Sequence, residues 1–132
     1  MATVHLTSEA GYRQEIRART HSFTADEPES LGGTDSGPSP YELLLAALAA
    51  CTSLTLRMYA DRKGWELGRV DVDARFTRSE DGAESITREV RLSAPLDPEQ
   101  QARLAEICEK TPVTKTLKRG TPIETTLRAA AL

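Results

Sequence analysis

The chain carries two cysteines, Cys51 and Cys108, whose thiols are its best candidates for nucleophilic or redox chemistry. A cysteine reacts as its thiolate, which needs a nearby cation, a helix N-terminus or a metal. Cys51 is predicted to lie in the middle of an apolar helix, where the helix dipole gives little help and a charge is disfavoured. Two interpretations stay open: Cys51 is an inert core residue, or folding brings a cation to it.

The candidate cations are three arginines near the N-terminus, Arg13, Arg17 and Arg19. Arginine suits this role better than lysine, because its rigid fork can hold a thiolate and a carboxylate together. Within the helix, Thr55 is the one neighbour of Cys51 able to hydrogen-bond strongly to a thiolate. A reactive Cys51 therefore depends on residues from elsewhere in the fold or from a partner chain.

The helix that must position Cys51 is predicted over residues 40–63. Ser39 is a good N-cap, Pro40 suits the first helical position, and Glu42 completes a capping box. No charged residue occurs from Leu43 to Leu56, and Gly64 follows a basic last turn. The helix is about 35 Å long at ~1.5 Å per residue.

This helix is apolar on nearly every side, so it is expected to be buried on nearly every side. Its uncharged part is too short to favour a membrane span, which predicts a core helix. A short sheet covers only one side of a helix, and the simplest cover for the other side is a second copy of the chain. We therefore expect a homodimer with this helix at or beside the interface.

Alternating and turn-rich segments predict the remaining elements. Strands are expected at Thr3–Thr7, Tyr12–Ile16, Thr20–Thr24, Arg69–Thr77, Ser85–Ser93 and Ile123–Leu127. A second helix opens at Asp97-Pro98 and carries Leu104, Ile107 and Cys108 on its apolar stripe, and Val113–Leu117 adds one further turn. This pattern predicts one α+β domain over residues 1–132, with a largely antiparallel sheet packed on the long helix.

Residues 25–39 form a loop rich in Gly and Pro between the third strand and the long helix. Loops of this length inside a domain are often functional, and Gly32 and Gly33 would let the backbone approach a ligand or another chain closely. A plain surface connection is the alternative interpretation.

The overall composition excludes several classes of function. A net charge of −3 argues against nucleic acid and anionic membranes as partners. Residues 1–11 contain no apolar signal-peptide core, so a cytoplasmic location is expected. His5 and His21 lie far from any Cys or His at metal-binding spacing, so a zinc site is not expected.

Several motifs resemble the OsmC/Ohr family of thiol peroxidases. They are Gly32-Gly33, Gly37-Pro38-x-Pro40-x-Glu42-Leu43-Leu44, the run Ala-Leu-Ala-Ala-Cys51-Thr52, Thr55–Ala60, Arg62–Trp65, and Pro112-Val113-x-Lys115-x-Leu117. The resemblance covers essentially the whole chain and is nearer to OsmC-like proteins than to the organic hydroperoxide resistance proteins proper.

The resemblance implies an intertwined α+β homodimer with the OsmC-like fold and active sites at the subunit interface. It also implies reduction of hydroperoxides, organic ones above all, in oxidative-stress defence. In that scheme a helix cysteine attacks the peroxide and becomes a sulfenic acid, and a second cysteine forms a disulfide with it. An external thiol or a dihydrolipoyl reductant restores both cysteines, and no metal or prosthetic group takes part.

The family's site residues transfer unevenly to this chain. Cys51 matches the peroxidatic position, but Thr111 stands where the family has its second cysteine, directly before Pro-Val. Cys108, three residues earlier, is the remaining candidate resolver, with packing beside Ile107 as its alternative role.

The family also pairs an arginine of the N-terminal strands with a glutamate at the start of the long helix. Arg13 is the best match for the arginine, while Tyr41 occupies the glutamate's place and Glu42 follows it. Along an ideal helix Glu42 lies about 13 Å from Cys51 and on roughly the opposite face, so its alternative role is the capping box.

Two kinds of function are therefore expected from the sequence. The first is a cysteine-based hydroperoxide reductase that uses Cys51, Arg13, Glu42 and Cys108. The second is a non-catalytic dimeric protein that binds a small ligand in an apolar interface pocket, or a dimer in which Cys51 only packs.

Overall fold

A computed structural model of the chain describes all residues, 1–132. The elements, in chain order, are β1 His5–Thr7, β2 Gln14–Ala18, β3 His21–Ala25, a 3-10 turn Glu29–Leu31, α1 Pro40–Lys63, β4 Val70–Arg78, β5 Glu84–Leu92, α2 Pro98–Cys108 and α3 Pro112–Arg119. The α+β class and the two main helices are as predicted from the sequence. The single predicted sheet is in fact two, a three-stranded sheet β1-β2-β3 and a two-stranded sheet β4-β5.

Helix α1 begins and ends at the predicted residues. The Ser39 backbone N–H donates to the Glu42 carboxylate at 2.9 Å, and the Glu42 N–H donates back to the Ser39 hydroxyl at 3.4 Å. This reciprocal pair satisfies two backbone donors that the first helical turn would otherwise leave without partners.

The expectation that α1 is buried all round does not hold within one chain. One stripe of the helix is buried, Leu48, Thr52, Leu56 and Tyr59. Leu54 and Met58 are 57% and 59% exposed on another side of the helix. The chain alone therefore covers only part of its most apolar element.

By its internal contacts the chain divides into two units, residues 1–49 with 73–89 and residues 50–72 with 90–132. The first unit contains the β1-β2-β3 sheet, which is antiparallel and places Leu6 opposite Ile16 and Ile16 opposite Phe23. Ile16 is the buried member of this cross-strand row. The turn between β4 and β5 closes through a bond from the Ser79 N–H to the Ala83 carbonyl at 2.9 Å.

The second unit has a hydrophobic core formed by the end of α1, the segment after it and α2. Its buried members are Leu56, Tyr59, Ala60, Leu67 and Leu104. Full burial of a leucine side chain contributes roughly 1.5–3 kcal/mol, so Leu56, Leu67 and Leu104 are the main anchors of this core. Helix α2 begins with a complete capping box between Asp97 and Gln100.

The C-terminal part of the chain differs from its prediction in two places. The single turn expected at Val113–Leu117 is a helix, α3. The strand predicted at Ile123–Leu127 is wrong, because residues 120–132 have no regular secondary structure and are exposed throughout. A strand needs a neighbour to accept and donate its backbone hydrogen bonds, and within this chain the segment pairs with none.

Candidate functional site

Cys51 is a free, half-buried thiol in the middle of α1. The residues one turn before it and one position after it, Leu48 and Thr52, are buried, whereas Leu54 is exposed. The thiol therefore lies at the border between the covered stripe and the uncovered apolar side of the helix. Such a position allows a second molecule to approach the sulfur without dismantling the core.

Glu42 is engaged at the start of the helix. Hydrogen bonds from the Ser39 N–H and then the Ser39 hydroxyl lower the pKa of its carboxyl. Within the chain Glu42 therefore acts as the capping-box acid, one of the two roles expected for it.

Of the three N-terminal arginines, Arg13 has an ion-pair partner. Its Nε donates to the Glu15 carboxylate at 2.5 Å, and both side chains are more than half exposed. That bond is the main reason why the pKa of Glu15 is lowered. Arg17 lies opposite His5 and Ser22 in the sheet, and Arg19 occupies the β2–β3 turn with a φ of 56°. Arg13 thus pairs with Glu15 and not with Glu42.

Tyr41 is held by an arginine that the sequence analysis did not single out. Its ring stacks on Phe76 with centroids 4.5 Å apart, and Arg78 donates to the Tyr41 hydroxyl at 3.0 Å. Arg78 also pairs with Glu84 at 2.7 Å, and these two bonds, Glu84 first, raise the pKa of the guanidinium. The sequence could have predicted the pairing of Arg78 with Glu84, because these residues lie on either side of the hairpin turn, where cross-strand ion pairs form.

Cys108 is the last residue of α2, a half-buried cysteine that is not in a disulfide, and it packs against the core of the second unit. Thr111, at the position where the resemblance implies a second cysteine, is completely buried and caps α3. Its hydroxyl lies 2.6 Å from that of Thr114, which in turn donates to the Cys108 carbonyl at 3.4 Å. The oxygen of Thr111 therefore has a structural role that a thiol would fill poorly, because sulfur is a weak acceptor.

The loop before α1 is organised by Asp26, a residue that composition alone did not single out. The carboxylate is buried and accepts from the N–H and hydroxyl of both Thr34 and Ser36, and from the Glu27 N–H. These bonds, with the Ser36 hydroxyl first, hold the pKa of Asp26 far below its usual range. The loop that leads into the capped N-terminus of α1 therefore has a fixed conformation.

Two glycines of this loop lie where no side chain fits. A Cβ at Gly33 would come within 2.0 Å of the Glu27 carbonyl oxygen, and one at Gly37 within 2.2 Å of the Thr24 carbonyl oxygen. The close approach predicted for Gly33 is therefore made to the chain's own backbone.

Two broader properties of the chain bear on the site. Helix α1 is long and apolar enough to cross a membrane by length and composition alone. Its most apolar segment of 18 residues has a mean hydropathy of 1.6, and 22% of that segment is buried. The core helix of a soluble protein passes the same test. No three His, Cys, Asp or Glu side chains cluster as metal ligands would.

Comparison with known proteins gives one family and a consistent fold. The sequence model of a family described as OsmC-like protein matches residues 33–126, well over half of the chain. A search of curated proteins finds no match.

Solved structures that resemble this chain share its fold at low sequence identity. An OsmC-like protein from Mycoplasma pneumoniae matches with a TM-score of 0.77 and 19% identity, over 89% of this chain and 87% of the other. An organic hydroperoxide resistance protein OsmC from Legionella pneumophila matches with a TM-score of 0.67 and 18% identity, over 89% of each chain. The organic hydroperoxide resistance protein OhrB of Bacillus subtilis matches with a TM-score of 0.61 and 23% identity, over 89% of this chain and 90% of the other.

Proposed function

The chain belongs to the OsmC-like protein family, and from this premise we propose that it is a soluble, cysteine-dependent hydroperoxide reductase in which Cys51 attacks the peroxide. The observation that carries the proposal is the position of Cys51. It is a free thiol inside the family-matched segment, at the edge of the uncovered apolar side of α1. Two of the similar structures described above are organic hydroperoxide resistance proteins, which supports the same substrate class.

The proposed first step is a two-electron transfer. The Cys51 thiolate attacks the outer oxygen of the hydroperoxide, the O–O bond breaks, and an alcohol leaves after taking up a proton. Sulfur is oxidised to a sulfenic acid and the peroxide is reduced. Leu54 and Met58 lie beside Cys51 at the edge of the proposed subunit interface, and the apolar approach that they give to the thiol favours an organic peroxide over hydrogen peroxide.

The thiolate needs a cation, and we propose that Arg13 supplies it from the second subunit of a homodimer. Arg13 is tied only by an exposed ion pair to Glu15, and such pairs contribute at most about 1 kcal/mol. Releasing it toward a thiolate therefore costs little. Glu42 is proposed to fix the helix start through its capping box, and so to position Cys51 indirectly.

The homodimer is supported by what one chain leaves uncovered. Leu54 and Met58 on α1, and Ile123 and Leu127 in the tail, are all more than half exposed. A second copy of the chain is the cover that brings matching apolar surfaces.

Recycling is proposed to use Cys108 and an external thiol or dihydrolipoyl reductant. The Cys108 thiol would attack the sulfenic sulfur, releasing water and forming a disulfide that the reductant then reduces. Thr111 has no sulfur to do this. If Cys108 stays in its packed position, the external thiol takes its place and attacks the sulfenic acid directly.

The test is consumption of cumene hydroperoxide in the presence of dihydrolipoate. We expect Cys51→Ser to abolish turnover, Cys108→Ala to slow it severalfold, and Glu80→Gln, in the exposed β4–β5 turn, to leave it unchanged. Equal rates for Cys108→Ala and the wild type would remove Cys108 as resolver. A folded wild-type dimer that consumes no peroxide would overturn the enzyme proposal and favour a non-catalytic binding protein.

A further inference from the structure

A cleft of about 590 Å³ lies in the second unit, between the end of α1 and one side of α2. This volume is in the range of small-molecule sites in proteins. Aromatic and charged side chains line it together, among them Tyr59, Lys63, Trp65, Glu99, Arg103 and Glu106. Neither cysteine lines it, so the cleft is separate from the thiol chemistry proposed above.

The aromatic side of the cleft is held in place by contacts that do not need a ligand. Trp65 meets the Tyr59 ring edge-on, with centroids 5.6 Å apart. The Arg103 Nε donates to the Tyr59 hydroxyl at 2.9 Å, and the guanidinium carbon lies 5.5 Å from the ring centroid. Tyr59 is buried, whereas Trp65 is half-buried and keeps part of its ring toward the cleft. This surface is preorganised to accept a flat apolar group.

The charges around the cleft are partly neutralised by one another. Arg103 pairs with Glu106 at 2.8 Å. The Asp97 carboxylate accepts from the Gln100 N–H in the α2 capping box, while the Gln100 side chain bonds back to the Asp97 N–H. Four of the polar side chains around the cleft therefore already have partners, in two separate pairs.

One cation and one anion remain without an ion-pair partner. Lys63 places its ammonium 5.7 Å from the Tyr59 ring centroid and makes no salt bridge. Glu99 is exposed in the first turn of α2 and makes none either. A ligand with a single charge would satisfy one of these groups and leave the other unpaired, whereas a ligand with both charges satisfies both.

From these observations we propose that the cleft binds a zwitterionic aromatic molecule with the chemistry of a free aromatic amino acid. Its carboxylate meets Lys63, its ammonium meets Glu99, and its ring packs on Trp65 and Tyr59. This site is independent of Cys51 and of the proposed peroxidase reaction.

The chain is well suited to a direct test, because Trp65 is its only tryptophan. Titration with L-phenylalanine, which is not excited at the wavelengths that excite tryptophan, is expected to change the Trp65 fluorescence and to saturate. Two analogues each lack one charge: 3-phenylpropionate has no ammonium, and 2-phenylethylamine has no carboxylate. Each is expected to bind roughly tenfold more weakly, in line with the loss of one charge-assisted hydrogen bond.

Two variants and two matched controls locate the site. Lys63→Gln and Glu99→Gln are expected to weaken phenylalanine binding roughly tenfold each, while Lys115→Gln and Glu80→Gln, exposed charges outside the cleft, leave it unchanged. All four side chains are exposed, so the fold should survive, and circular dichroism checks this.

The proposal is overturned by any of three results. They are no saturable change in fluorescence, equal binding of phenylalanine and a singly charged analogue, or cleft variants that bind like the controls.

Discussion

The loop before α1 and the tail after α3 are of similar length and contain no long helix or strand, yet they differ in every other respect. In the loop, the Asp26 carboxylate is surrounded by donors, and the Asp26 N–H is bonded to the Pro38 carbonyl at 3.1 Å. In the tail, residues 120–132 are exposed throughout, and the side chains of Ile123 and Leu127 are 88% and 86% exposed.

This difference separates two ways in which a segment without regular structure is specified. The loop carries its own donors and acceptors within about ten residues, so local chemistry fixes its path. The tail has two large apolar side chains, Ile123 and Leu127, on one face of an extended chain, and these gain stability only when another surface covers them. The loop is therefore fixed by contacts within one chain, whereas the tail finds no covering surface there.

The largest effect is expected from Asp26→Asn. The amide keeps one acceptor oxygen but replaces the other by an NH₂ donor and removes the negative charge, so at least one of the five donors around Asp26 loses its acceptor. We expect the melting temperature to fall by on the order of 10 °C. Asp35→Asn is the matched control, since Asp35 is exposed in the same loop, and it should change the melting temperature far less.

The same carboxylate makes a prediction about pH. Because hydrogen bonds lower the pKa of Asp26 in the folded state, its stabilising effect is fully present above the ordinary Asp value of about 3.9 and is lost as pH falls below it. The stability gap between wild type and Asp26→Asn should therefore shrink from neutral pH to about pH 3. Urea unfolding of both proteins at the two pH values measures this difference in stability. A difference that does not change with pH would contradict the stabilising role given to the Asp26 carboxylate.

Gly37→Ala should have the next largest effect. Its Cβ would lie 2.2 Å from a backbone oxygen of Thr24, so the loop must shift, at a cost of about 1–3 kcal/mol. Gly82→Ala is the comparison, because a Cβ there meets nothing within 4 Å although its φ is +89°. The account fails here if Gly82→Ala, which brings backbone strain alone, costs more than Gly37→Ala in thermal unfolding.

Thr111→Val tests whether local polar contacts also fix the start of α3. The substitution keeps the volume and removes the capping hydroxyl, so we expect a loss of about 1–2 kcal/mol. Thr111→Ser should retain most of the stability. Denaturant unfolding distinguishes them, and equal stability of the two variants would show that the buried hydroxyl contributes little.

Removal of residues 120–132 should have the smallest effect on the folded chain. The tail contributes no helix or strand, so far-UV circular dichroism should keep its helical signal. A loss of helix would contradict this. Light scattering adds a sharper result: if the wild type is dimeric and the truncated chain is not, the tail is part of the cover that a second copy provides.

The elements with local signals were predictable from the sequence. The capping box at Ser39 and the N-cap at Asp97 correctly marked the first residue of both main helices, because each signal lies within four positions of the helix start. The tail strand was wrong, because alternation indicates a strand only where a neighbouring strand exists.

The candidate site was less predictable, because its contacts join distant positions. Arg78 reaches Tyr41 from 37 residues away, and Arg103 reaches Tyr59 from 44. Nothing in the spacing of these residues indicates such pairs. Cys51 could be identified from its motif, but the cation that would activate it could only be narrowed to three arginines.

The central claim is that Cys51 is a reactive thiol that hydroperoxides oxidise, and trapping of its sulfenic acid tests this most directly. The protein is treated with one equivalent of cumene hydroperoxide and then dimedone, and peptides with Cys51 and Cys108 are analysed by mass spectrometry. We predict a dimedone adduct on Cys51 in Cys108→Ala, either that adduct or a Cys51–Cys108 disulfide in the wild type, and strongly reduced oxidation of Cys51 in Arg13→Gln. A protein with neither product on Cys51, whose thiol is alkylated only at alkaline pH, would contradict the account.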